Sequence, residues 1–340
     1  MSNYNEKIIL LEDDMDWREP YVDLDPRSNP NSKFLKTVFN PEEDTFVHFI
    51  ISNLRKTIDV YKNSILTEWN LEYDEWVDEN IDEIIEFEDN KQVFSRYVTG
   101  NIRSLLTLAF DVYCLQIEGA FHNAFKKRLI HIDQFQSVQY EIAVASILLR
   151  AGFKLTYDGD SIKNKNGNSC EFIGIHKITK DKISFEAKSK RFKGVLGFFG
   201  GNNLEDLKSN FLGGLFNKAK QQKLEDLPFI VFIDTNVPPS KDIGLGVISY
   251  FDELTTFFEG DHNKYVNNNE KTPYNYIITT NFSDHYAGKN VVTNKNSFTT
   301  IFSEQPEHQI INNDDLIRND ILRSLQNYKR GLNIITRVTT

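Results

Sequence analysis

Near the middle of this 340-residue chain, two short β-type runs each carry an acid at an edge. Glu171 opens Phe172-Ile173-Gly174-Ile175, and Glu186 follows Ile183-Ser184-Phe185 and leads into Ala187-Lys188. A turn-like segment, Thr179-Lys180-Asp181-Lys182, separates them, so the pair reads as adjacent strands of one sheet. Side chains alternate across a strand, which sends Ile183, Phe185 and Ala187 one way and Ser184, Glu186 and Lys188 the other. A carboxylate and an ammonium two residues apart on one face can hold a divalent cation with a water beside it. The triplet alone says little. Asp89-Asn90-Lys91 and Asp206-Leu207-Lys208 share the acid-x-Lys spacing, but neither lies at the polar edge of a β-type run.

A third carboxylate lies upstream. Phe135 to Leu149 has helical periodicity, with Val138, Ile142, Ala145 and Leu148 on its apolar stripe. Glu141 falls on nearly the same side, where a charge is costly unless something pairs with it. An isolated glutamate of this kind reaches solvent or bonds a neighbouring arginine. Here the helix runs through Arg150-Ala151-Gly152 straight into the two acid-bearing runs, which points to a shared acidic site.

This order of helix with Glu141, short strand, strand with Glu171 and strand with Glu186-Ala187-Lys188 resembles the PD-(D/E)XK nuclease superfamily. Its fold is the restriction-endonuclease-like one. The resemblance extends to about Phe282. Leu212 to Leu224 is similar to the crossover helix after the catalytic strand, with Gln221 or Gln222 as a site glutamine. Pro228 to Pro239 resembles the next core strand, and Tyr274 to Phe282 the last. Two positions depart from the pattern: Glu171 replaces the commoner Asp, and Cys170 stands where Pro is frequent. A longer carboxylate changes the reach to a metal. The implied fold class is α/β, a mixed central sheet flanked by helices over residues 133–340, preceded by an all-α N-terminal domain over residues 1–132.

The resemblance implies a metal-dependent endonuclease acting on DNA, with Glu141, Glu171, Glu186 and Lys188 as catalytic residues. Its biological setting would be bacterial restriction or anti-phage defence. The chemistry needs an activated water, in-line attack and neutralisation of charge on the phosphoryl oxygens. Hard oxygen ligands suit Mg2+ or Mn2+, with Glu171, Glu186 and the Ala187 carbonyl as ligands and Glu141 on outer waters or a second ion. Lys188 would orient or deprotonate the attacking water. Nothing in the residues separates DNA from RNA as substrate. The competing expectation is a restriction-like scaffold without hydrolysis, serving as a binding or assembly subunit.

Charge distribution fits a nucleic-acid surface around these acids. The chain totals −10, yet residues 1–90 hold 23 acids against 8 bases, while residues 151–225 hold 8 against 14. Lys177, Lys180 and Lys182 lie in the turn region, and Lys190, Arg191 and Lys193 follow the catalytic triplet. Lys190, Arg191, Lys193, Gln221 and Gln222 are the candidate nucleic-acid contacts, since phosphate neutralisation dominates sequence-independent binding. The loop Gly197-Phe198-Phe199-Gly200 is a candidate for stacking on bases or for tucking into the core.

Four prolines break up the first forty residues or so, and none follows until Pro228. Asp44 to Leu66 and Gln92 to Leu129 read as helices, the second one long element or two broken near Gly100. The acidic block Asp74–Asp89 reads as a solvated helix face, as an imitation of nucleic-acid charge that covers the basic site, or as a dock for a basic partner, and the N-terminal domain as a whole is a candidate surface for a protein partner or a second protomer. Cys114 and Cys170 form no paired framework, and no apolar stretch is long enough to span a bilayer, so a reducing cytoplasmic setting is expected with no membrane partner. No phosphate-binding Gly-x-x-x-x-Gly-Lys loop, His-Glu-x-x-His or Gly-x-Ser-x-Gly elbow occurs. His122 and His176 read as structural histidines.

Overall fold

A computed structural model describes residues 7–11, 46–78, 83–86, 92–157, 170–191, 196, 210–236, 245–282, 284–290, 299–303 and 306–328. The chain divides into two compact units. One comprises Met1–Phe135, Asp284–Asn294 and Leu322–Thr340, and the other comprises Gln136–Ser283 and Lys295–Ile321. Among the described residues, no helix is long and apolar enough to cross a membrane.

The first unit is built on α3 (Gly100–Ile117), with sixteen of its eighteen residues buried, and on α1 (Phe46–Thr57) and α2 (Ser64–Asp78) packed against it. Phe49, Leu54, Leu66, Trp69, Leu105 and Ala109 are among its core residues. Thr99 caps α3, its hydroxyl accepting from the Ile102 N–H at 3.3 Å. Gly100 follows because a Cβ there would lie 2.3 Å from the Asp284 carbonyl oxygen. A short helix, α4 (Asn123–Leu129), completes the described helical part, and His122 sits at its N-cap rather than within a turn.

The unit is not all-helical. Strands β1 (Lys7–Leu11), β2 (Glu83–Glu86) and β3 (Gln92–Tyr97) form an antiparallel sheet in the order β1-β3-β2. The expected helix from Gln92 therefore starts only at Gly100, and the acidic block contains a strand. The physical reason is local. Gln92-Val93-Phe94-Ser95-Arg96-Tyr97 is rich in β-branched and aromatic residues, and Ile84-Ile85 pairs with Val93-Phe94.

The second unit is an α/β assembly around a six-stranded mixed sheet in the order β4-β5-β6-β7-β8-β9. The strands are β4 (Phe153–Thr156), β5 (Phe172–His176), β6 (Lys182–Ser189), β7 (Phe229–Asp234), β8 (Tyr276–Thr280) and β9 (Thr299–Ser303). Pairing is antiparallel from β4 to β6 and between β8 and β9, and parallel from β6 through β7 to β8. A glycine occupies position 174 because a Cβ would come within 2.8 Å of the Phe185 ring and 3.0 Å of Phe153.

Helices cover both faces. On one, Phe216 and Ala219 of α6 (Asn210–Lys220) and Leu254 and Phe258 of α7 (Leu245–Asn267) pack on Val231, Ile233 and Ile277. On the other, Tyr140 of α5 (Ile132–Arg150) shares a hydrogen bond with the Thr280 hydroxyl at 2.9 Å. From α8 (Asp314–Tyr328), Asp314 accepts from the Tyr276 hydroxyl and Asp320 meets His176 Nε2 at 3.3 Å. His176 Nδ1 accepts from the Thr179 N–H, so this buried histidine is satisfied structurally, as its sequence context suggested. Helix α7, strand β9 and helix α8 lie beyond the elements the sequence pattern supplied.

Candidate active site

Strand register brings the expected acids together. Phe172 pairs with Phe185, so one step outward sets Glu171 opposite Glu186. The Glu171 main-chain N–H donates to Glu186 Oε2 at 3.2 Å. Alternation along β6 keeps Glu186 and Lys188 on one face, with Val231 and Ile233 of β7 as their parallel neighbours. That face carries the α6 layer, which is why Glu186 is fully buried at 0% exposure despite its charge.

The Lys188 ammonium forms an ion pair with Glu186 Oε1 and lies 3.7 Å from Glu171 Oε1. It thus bridges the two carboxyl groups. Glu141 does not reach solvent, being buried at 4% exposure, and its charge acts on both Glu186 and Lys188. All three acids act on Lys188.

The electrostatics follow from that arrangement. Burial pushes the Glu186 carboxyl up to about 8; Lys188 opposes the shift, and Glu171 and Glu141 add to it. Burial pulls Lys188 down, but Glu186 and Glu171 outweigh it, so its pKa rises above the ordinary lysine value. Burial, reinforced by Glu186, also pushes the Cys170 thiol up to about 12, which keeps it protonated at neutral pH. All three shifts are upward, with burial the first cause for Glu186 and Cys170 and the neighbouring carboxylates outweighing burial at Lys188.

Paired hard oxygen donors suit Mg2+ or Mn2+, which take few protein carboxylates and keep several waters. Glu171 and Glu186 are the side chains that would hold such an ion, and Ala187 lies between Glu186 and Lys188 on β6 with its methyl group on the opposite face. Among the described residues, no group of three or more His, Cys, Asp or Glu side chains is spaced to hold an ion. Glu141 acts on Glu186 and Lys188 through its field.

The candidate nucleic-acid residues fall in different settings. Lys190 is half-buried, and its carbonyl accepts from Asn236 Nδ2 at 2.8 Å and Gln136 Nε2 at 3.3 Å. Arg191 is exposed and donates to the Ser137 hydroxyl at 3.1 Å, one helical turn before Glu141. Lys193 and the Gly197–Gly200 loop lie outside the described residues. Helix α6 stops at Lys220, so both glutamines follow it; Gln221 is exposed and Gln222 turns its Oε1 inward.

Sequence reasoning missed the polar cluster at the carboxyl ends of β6 to β8. Buried Asp234 accepts from the Ser189 hydroxyl at 3.2 Å and the Phe282 N–H at 3.1 Å. Since Ser189 and Asp234 are register partners, this cluster begins one residue beyond Lys188 and, by alternation, on the opposite face of the sheet. Its signal was available: Asp234-Thr235-Asn236 closes an otherwise apolar strand. No protein-family model, curated protein or solved structure matches this chain.

Proposed function

We propose that the chain is a metal-dependent endonuclease of restriction-endonuclease-like fold that hydrolyses DNA phosphodiester bonds, acting in restriction or anti-phage defence. One observation carries this reading: Glu171, Glu186 and Lys188 converge across β5 and β6, within the field of Glu141.

A bound Mg2+ or Mn2+ would supply Lewis-acid polarisation of the phosphoryl oxygen and a more acidic water. Glu171 and Glu186, with the Ala187 carbonyl, would hold it. Lys188 donates hydrogen bonds that orient the attacking water and offsets charge as the phosphorus–oxygen bond to the leaving group breaks. Glu141 adds the negative field that draws cations to the site. Lys190 and Arg191 follow the strand that carries Glu186 and Lys188 and would supply phosphate contacts.

The test is digestion of plasmid and single-stranded DNA with Mg2+, Mn2+ or EDTA, comparing wild type with Lys188→Ala. Cleavage by wild type that EDTA abolishes and the variant lacks is the expected result. Equal behaviour of the two proteins with metal removes Lys188 from the chemistry. A second reading has its own support, because the contact between Lys188 and Glu186 is that of a self-neutralised structural pair. On that reading the unit is a binding or assembly scaffold, and Mn2+ titration in a calorimeter gives no heat.

A further inference from the structure

The contact between Lys188 and the two carboxyl groups has a consequence for how an ion would enter. Glu186 is wholly buried, and two groups reach it: the Glu171 N–H on Oε2 and the Lys188 ammonium on Oε1. The same ammonium stands 3.7 Å from Glu171 Oε1. One cation therefore already lies against both side chains that the proposed function assigns to a divalent ion. Two cations cannot share that position, since their repulsion is strong in a shielded setting. Lys188 also has somewhere to go. Its side chain is 20% exposed, and its flexible stem ends in a compact charge that water solvates readily.

We propose that Lys188 is the resident counter-cation of this site, and that a divalent ion binds only as Lys188 withdraws from Glu186. Ion loading and release of the Lys188 amine are then one coupled event. Before loading, the amine is tied to the carboxyl groups and is unavailable to a water or a phosphate. After loading it is free to meet them. The chain is thereby held inactive by its own lysine until the ion arrives.

This inference rests on the metal-dependent reading above, and the experiment separates the two. Mg2+ binding is measured by calorimetry on wild type and Lys188→Met, and the Lys188 13Cε resonance is followed by NMR in wild type during the same titration. The expected result is roughly tenfold or greater tightening in Lys188→Met, as a competing charge is removed. The wild-type resonance should move and saturate along the calorimetric isotherm. If the ion binds but the resonance stays still, the counter-cation role is overturned and the metal-dependent reading survives, whatever the variant does. Equal or weaker binding by a folded Lys188→Met overturns it likewise. If Lys188→Met fails to fold, the wild-type resonance decides alone. Should no ion bind to wild type, both the function and this inference fall.

Discussion

Two buried glutamates, Glu72 in the first unit and Glu186 in the second, are treated in opposite ways. In the first unit, Glu72 accepts from the Thr99 hydroxyl and from Asn101 Nδ2 at 2.8 Å, and Asp111 accepts from the Tyr328 hydroxyl. Both Glu72 oxygens are thus matched by neutral donors, which tie its helix to the start of α3. In the second unit, Glu186 has another carboxyl group opposite it, a third acting on it through space, and the Lys188 ammonium against it. The first arrangement settles the carboxylate with hydrogen bonds. The second holds a carboxyl group whose pKa is pushed up to about 8, and groups shifted in this way gather at functional sites.

Three tests bear on this contrast. The largest effect belongs to Glu186→Gln, which keeps the shape of the side chain and removes its charge. Metal-dependent cleavage should fall by roughly 10²–10³-fold, as when one electrostatic group is removed from a reaction centre. Plasmid nicking rates measure it, and an active Glu186→Gln protein would dissolve the distinction between the units.

The next test is the pH dependence of stability in the metal-free protein. Native Glu186 holds its proton up to about 8, whereas an unfolded glutamate releases it near 4.5. The native state binds more protons between those values, so stability falls as pH rises across them. The contribution is complete below 4.5 and lost above about 8. Thermal melts across this window should decline for wild type and flatten in Glu186→Gln; parallel curves would show that burial does not shift Glu186.

The smallest effect is Asp111→Ala in the first unit. It removes an acceptor from the buried Tyr328 hydroxyl and should cost about 1–3 kcal/mol in chemical denaturation. Cleavage by the folded protein should be unchanged. A lost activity with intact folding would mean that the first unit's acids also serve the reaction.

Legibility in the sequence divided along the same line. Period-two alternation placed Glu186 and Lys188 on one face, and the turn at Thr179–Lys182 implied that Glu171 would meet them. Helix α5 appeared at nearly its observed bounds. The Asp234 cluster did not, because its members come from β6, β7, β8 and the segment beyond, which only sheet order makes neighbours. Strand β2 was hidden in the acidic block Asp74–Asp89, and β3 in a stretch read as helix from Gln92. Strand β9 pairs with β8 across more than fifteen intervening residues, a distance at which local pattern carries no pairing information.

What the amino-acid order determined alone was which side chains share a face, since alternation is a property of the backbone at each strand. It also set the sign of local charge around the acids. Only the tertiary structure decided that Glu186 is buried, because burial comes from the α6 layer laid over β6 and β7. Only it decided that Lys188 reaches both Glu186 and Glu171 and that Glu141 acts on them. Faces are local geometry, whereas electric fields depend on distance in space and on the solvent that packing excludes.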